Sequence, residues 1–537
     1  MSGINGVYSA NRNFTGNDLI EWLYSTGLQS EPRGEAAAGV TMVNQWGQMK
    51  TEKNLGPVSI AIPIERLQKT GDPSVYAAIG HTRYAREPRP TVVNTQPIEI
   101  ESEHYRAAIA ADSMLTGLDE HWDEMRSWFE YDIEIQTQTG AEIFGRLLLK
   151  ELERTRNIEK AGEKFFYNMD GRGIYSILML LQEKGKRDTN LLAITDPHGG
   201  KPLCFAKKDD TFFFASGTYP LEQHGIDIKD IKEVNQGSIA NVSENGLDTH
   251  EFKKAKRMRC VFEHIYFDGP FNRALTPLGP KFYELFDKYY KNLEINPELR
   301  ENPANYVIRN ILGTCLAETY PELKNEIEIF IPIVQTGNGV TYGLSKAYEI
   351  PLAPDALYKL AVGRTFQESN PDIRRLRVDM KNAGLLEFIL KKIFGSGDDS
   401  VVKGGVAGHY SKKRGVVGLF ERLGARAFHM LISYSDMPYP CIRSIVPYHR
   451  REKMAAEGLE WLPMEEKNKI VGEKLGAGLE IPFNLYYQHR PNTYNIFGPD
   501  YCFGCMDANY PLDSRYVADW IKAQKEMSDM YANRRWV

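Results

Sequence analysis

Near residue 255 the hydrophobic pattern of this chain changes its period, and the change limits what each part can fold into. Before it, apolar residues come in short runs bounded by glycine, proline and aspartate, as at Val58–Ile62, Ala107–Ala111 and Leu191–Thr195. Such runs predict strands of a sheet-rich domain. Apolar spacings of three and four predict two helices among them, over Ala141–Arg154 and Gly173–Glu183, so the first part reads as an α+β layered domain. Beyond Cys260, longer helical stretches at Gly279–Leu293 and Tyr306–Thr319 alternate with strands at Ile327–Val334 and Ala427–Ser433. That alternation predicts a parallel sheet. The segment from Ile442 is mixed and is predicted to close with a helix over Ser514–Ala532. The expected divisions are 1–255, 256–441 and 442–537, which suits a length of 537 residues, too great for one core.

A formal net charge of −5 offers no basic field to a phosphate backbone, so nucleic acid is not expected as the main partner. Lys391-Lys392 and Lys412-Lys413-Arg414 read as solvated helix faces, the second also being able to recruit a substrate phosphate. Met1-Ser2-Gly3-Ile4-Asn5-Gly6 has neither region of a leader, and no run of about 18 apolar residues occurs, which predicts a cytoplasmic protein with no membrane partner. Six cysteines are too few for a disulfide scaffold of this length, so a clustered subset is expected to bind metal or do chemistry. Cys502-Phe503-Gly504-Cys505 suits a redox dithiol, half of a zinc site or half of an iron–sulfur site.

Hydrolysis of an amide by an N-terminal nucleophile needs a small second residue, so that Met1 is removed and the α-amine can act as base; Ser2 fits that layout. Arg33-Gly34-Glu35-Ala36-Ala37-Ala38-Gly39-Val40, Gly80-His81-Thr82-Arg83-Tyr84-Ala85 and Asn94-Thr95-Gln96-Pro97 follow in order, then Asp196-Pro197-His198-Gly199-Gly200-Lys201 and Phe214-Ala215-Ser216-Gly217-Thr218. Together these words resemble the glutaminase domain of the amidophosphoribosyltransferase family, which implies an N-terminal-nucleophile fold of αββα layering. The match departs from the family at the site itself. Family members begin Met-Cys-Gly, whereas this chain has Ser2, a weaker nucleophile. The family's oxyanion-hole word corresponds to Ala111-Asp112-Ser113, putting a carboxylate where negative charge should develop. The aspartate that holds the glutamine amine falls on Gly140, and Arg83, partner of the substrate carboxylate, persists. These losses predict no glutamine hydrolysis; the opposing reading is a serine-dependent amidohydrolase for another amide.

Phosphoribosyl diphosphate needs adjacent carboxylates at a strand end for the ribose hydroxyls and a loop of amides for the 5-phosphate. Asp398-Asp399-Ser400-Val401-Val402-Lys403-Gly404 resembles that signature in the family's phosphoribosyltransferase domain. Val362-Gly363-Arg364-Thr365-Phe366 resembles its closing loop, so Arg364, Asp398, Asp399, Ser400, Lys403, Gly404 and Gly405 form the implied binding set. Gly404 to Ser411 replaces the family's Gly-Thr-Thr and is longer, which reshapes the phosphate cradle, and Gly395-Ser396-Gly397 reads as a poor strand.

Met506-Asp507-Ala508-Asn509-Tyr510-Pro511 after the C-x-x-C resembles the cluster-bearing branch of the same family. The words around Cys260 and Cys441 match its other two ligand words, so the resemblance implies a 4Fe-4S cluster on Cys260, Cys441, Cys502 and Cys505, although four thiolates alone suit zinc equally. Cys204 and Cys315 match no ligand word and read as buried apolar residues. The resemblance further implies purine metabolism, magnesium on the pyrophosphate, a homo-oligomer, and ammonia from solvent or a supplying partner. Two functions stay open: phosphoribosyl transfer to ammonia or another amine, and a catalytically silent sensor or scaffold that binds phosphoribosyl diphosphate or a nucleotide.

Overall fold

The computed structural model describes residues 2–84, 90–115, 135–290, 297–354, 356–359, 382–384, 392–398, 424–439, 454–511, and 418, 421, 441, 517, 518, 521 and 522. Two compact units divide the chain, Met1–Arg259 and Cys260–Val537.

In the first unit a seven-stranded sheet and a six-stranded sheet face each other. Ile4, Tyr8 and Ile79 of the first sheet pack against Ala108, Ala110, Leu178, Leu180, Leu191 and Ala193 of the second. The alternate residues of the second sheet, among them Ile109, Ile177 and Met179, pack outward on Phe144, Leu148 and Phe165 of the helices Gly140–Thr155 and Ile158–Asn168. The helix Gly16–Ser30 covers the first sheet with Leu19, Ile20, Trp22 and Leu23. The layering is therefore α/β/β/α, as expected. Two local expectations are corrected. Gly173–Glu183 is an antiparallel strand, not a helix. Buried on both faces, it has no polar alternation, and a continuous apolar run satisfies helical spacing equally well. Val58–Ala61 is a single helical turn rather than a strand; Pro57 precedes it, and its first amide is capped by Glu31 Oε1 at 2.7 Å.

Among the described residues the second unit holds a four-stranded parallel sheet: Ile329–Phe330, Ile393–Asp398, Ala427–Ile432 and Phe483–Tyr487, in that spatial order. The last strand comes from the segment after Ile442, which thus completes this sheet. The helices Asn305–Thr319 and Gly337–Tyr348 pack on each other, and the latter lies on the strand Ile393–Asp398. The expectation of a poor strand at Gly395-Ser396-Gly397 is overturned, and the glycines are the reason. A Cβ on Gly395 would stand 2.5 Å from the Phe330 ring, and one on Gly397 would stand 2.8 Å from the Thr341 amide nitrogen. Their absence brings the helix close enough for Thr341 Oγ1 to accept from the Gly397 amide at 2.9 Å. The predicted terminal helix over Ser514–Ala532 lies almost entirely outside the described residues. Among those residues no helix is long and apolar enough to cross a membrane.

Candidate functional sites

Ser2 enters the strand Gly3–Ser9 with its backbone nitrogen donating to Asp112 Oδ1 at 3.1 Å. Arg33 closes the arrangement, donating from Nε to the Ser2 carbonyl at 2.9 Å and from Nη2 to Asp112 Oδ2 at 3.0 Å. Lys201 Nζ stands 3.4 Å from Asp112 Oδ1. All three charged side chains are 3 % exposed or less. Burial pushes the Asp112 carboxyl up, but Lys201 and then Arg33 more than reverse this and hold it well below the ordinary carboxylate range. Asp112 is therefore not the bare negative charge its position in the sequence suggested. It is the shared counter-ion of two buried cations and is bonded to the nitrogen of residue 2.

Arg83 ends the strand Val75–Arg83 and donates to the Asn94 carbonyl. Asn94 Oδ1 in turn accepts from the Gln138 amide at 3.1 Å, tying the turn before Gly140 to Arg83. Burial lowers the Arg83 guanidinium to about 10, so it stays charged at neutral pH. Gly140 opens the helix Gly140–Thr155, and Ser113 sits half-buried on the strand Tyr105–Leu115. The structure thus joins Ser2 to Asp112, with Arg33 and Lys201, which lie inside the motif words but have no evident role in the sequence. Their signal was the presence of two cations in words flanking a carboxylate.

His81, two residues before Arg83 and 2 % exposed, is driven down to about 3 by burial and then by the Arg83 charge. The unfolded chain takes up this proton near pH 6.5, the ordinary value, and the folded chain only near 3. His81 therefore contributes stability in full above pH 6.5 and loses it as pH falls toward 3. Thermal melts across that window should fall less steeply for His81→Gln than for the unaltered protein; equal slopes would refute this.

At the carboxyl end of the parallel sheet, Asp398 closes its strand, 4 % exposed, with its carbonyl accepting from the Ser433 amide at 3.0 Å. The amino end of the helix Gly337–Tyr348 abuts it, since a Cβ on Gly337 would lie 2.4 Å from the Gly397 carbonyl oxygen. Crevices outside the carboxyl ends of such strands are the usual ligand sites of open α/β sheets. Asp399, Ser400, Lys403, Gly404, Gly405 and Arg364 lie outside the described residues.

Cys260, Cys441, Cys502 and Cys505 all belong to the second unit, and each is 8 % exposed or less. The strand carrying Cys260 pairs with Tyr501–Cys502, and the Cys505 carbonyl accepts from the Tyr439 amide at 3.3 Å, which draws in the segment leading to Cys441. Burial, then the thiol of Cys441, with smaller effects of Cys260 and Cys502, pushes the Cys505 thiol well above its ordinary value. Cys505 is thus close enough to the other three thiols to feel their charge. Among the described residues no three of their sulfurs lie within 4.8 Å of one another. Cys204, in the first unit, and Cys315 are also buried, and burial pushes the Cys315 thiol up to about 12, as befits an inert core residue.

No family model matches the chain. Curated amidophosphoribosyltransferases match almost end to end. That of Methanocaldococcus jannaschii is 24% identical over 96% of this chain and 98% of its own length, and that of Pyrococcus horikoshii is 25% identical over 95% and 96%. The solved structure of glutamine phosphoribosylpyrophosphate amidotransferase from B. subtilis, complexed with ADP and GMP, superposes with a TM-score of 0.69 at 20% identity, covering 95% of this chain and 98% of that one.

Proposed function

The chain is a divergent member of the amidophosphoribosyltransferase family, and from that premise we propose that it binds phosphoribosyl diphosphate at the carboxyl end of its parallel sheet without hydrolysing glutamine in its first unit. The observation that carries the second half is the bond between Asp112 and the nitrogen of residue 2. An N-terminal nucleophile needs that nitrogen, once freed as an amine, to be neutral and to take the proton of the attacking group. Here that nitrogen is tied at 3.1 Å to a carboxylate that also neutralises Arg33 and Lys201, so it is committed to the ion cluster rather than left free to take the proton. Ser2 is then a weak nucleophile whose own nitrogen is engaged elsewhere.

For the transferase half, Asp398 at its strand end, with Asp399, is suited to hold the ribose hydroxyls. The acceptor amine would form a C–N bond at the anomeric carbon as the bond to pyrophosphate breaks, and the amine would shed one proton. Magnesium enters as part of the substrate, on the pyrophosphate. The nucleotides in the B. subtilis neighbour make ADP and GMP ligands to test beside phosphoribosyl diphosphate.

The donor set Cys260, Cys441, Cys502 and Cys505 fits a four-thiolate centre. Four thiolates suit zinc as well, and it is the resemblance to the cluster-bearing branch of the family that supports a 4Fe-4S cluster. When bound, such a group supplies a structural tie among chain segments far apart in sequence.

Incubation with glutamine is expected to release no glutamate, and Ser2→Ala to change nothing. Glutamate release that Ser2→Ala abolishes would sink this reading of the first unit. Calorimetry with phosphoribosyl diphosphate and magnesium should show binding that Asp398→Asn weakens about ten-fold or more, or about 1.4 kcal/mol. Pyrophosphate release on adding ammonium separates a transferase from a silent binder, the second reading, which the closed ion cluster at Ser2 favours.

A further inference from the structure

We propose that Tyr434 is a positioning residue for the metal centre, its phenolic hydrogen donated to the Cys505 thiolate. The inference rests on the reading of Cys260, Cys441, Cys502 and Cys505 as cluster ligands, and adds to it a residue outside the ligand set. Tyr434 follows the strand Ala427–Ile432 at the carboxyl end of the parallel sheet, and its side chain is 0 % exposed. Its hydroxyl oxygen lies 3.1 Å from Cys505 Sγ. The ring cannot easily turn away, because it packs edge-on against Phe262, centroids 5.8 Å apart, and Phe262 stands two residues after Cys260. Phenol and ligand segment therefore hold each other in place.

With a free thiol either atom can be the donor. A thiolate on iron has no hydrogen left, so only the phenol can donate, and the bond becomes charge-assisted in a dry site. Hydrogen bonds to ligand sulfurs draw electron density from the centre and set its reduction potential. Loss of this bond should leave the cluster richer in electrons and easier for dioxygen to oxidise, the electrons passing to dioxygen as the visible absorption bleaches.

The test uses the full chain purified without air. Iron and sulfide are measured first in the unaltered protein; if it holds none, the cluster reading itself fails, and this inference with it. With cluster present, Tyr434→Phe should bleach in air faster by on the order of five- to ten-fold, the factor one hydrogen bond is worth. Because the variant could fold or load poorly, resonance Raman spectra of the unaltered protein exchanged without air into H2O and into D2O buffer give a second reading. At least one terminal iron–thiolate stretch should shift with deuterium, and that shift should be missing in any Tyr434→Phe protein that holds cluster. A loaded unaltered protein with no deuterium shift, or a fully loaded variant that bleaches at the unaltered rate, would overturn the proposal.

Discussion

Cys505→Ser is expected to yield a protein without iron whose second unit melts far below that of the unaltered chain. If the four thiols hold one centre, removing any ligand removes most of its contribution, which for a four-thiolate structural metal is on the order of 10 kcal/mol. The loss should also be strongly non-additive. Cys441→Ser combined with Cys505→Ser should be hardly worse than either alone, because the first substitution has already dismantled the shared centre. Cys315→Ser is the control: that thiol lies within the helix Asn305–Thr319 and should leave the iron content unchanged. Iron analysis of the four proteins decides the matter, and full iron in Cys505→Ser would remove Cys505 from the ligand set.

Asp436→Asn should cost roughly 3–5 kcal/mol, the usual penalty for stranding buried charges. Asp436 is 0 % exposed and accepts from Lys467 Nζ at 2.9 Å and from Arg490 at 2.9 and 2.5 Å. Neutralising it leaves Lys467, itself 3 % exposed, without its counter-ion. The position also lies between Tyr434 and Cys441, so the loop that carries a proposed ligand is anchored by this carboxylate to the helices Met464–Gly476 and Arg490–Phe497. The variant should therefore lose iron as well as stability. Urea unfolding of Asp436→Asn, Lys467→Met and the double variant tests the mechanism, since a Lys467→Met background should recover part of the loss. Simple additivity would show that the pair is not coupled.

The layering of the first unit and the parallel sheet of the second could both be read from residues in order. Period, turn chemistry and short words are local properties, and strands such as Tyr105–Leu115 or helices such as Asn305–Thr319 follow them closely. Gly173–Glu183 could not be read that way, because a strand covered on both sides presents the same apolar run as a buried helix. Gly395 and Gly397 misled for a related reason: their value lies in how closely Phe330 and Thr341 approach, and that is a fact about neighbours distant in sequence.

Charge partners belong wholly to the tertiary structure. The sequence supplied Asp112 within a strand, but only folding put Arg33 and Lys201 around it and set the nitrogen of residue 2 on its oxygen. The same holds for Tyr434 on Cys505 and for Asp436 between Lys467 and Arg490, pairs that no local word announces. A sequence determines which groups are present and the secondary structure that carries them. Whether a buried carboxylate is a bare charge or a counter-ion depends on atoms within a few ångströms, and packing alone brings those together.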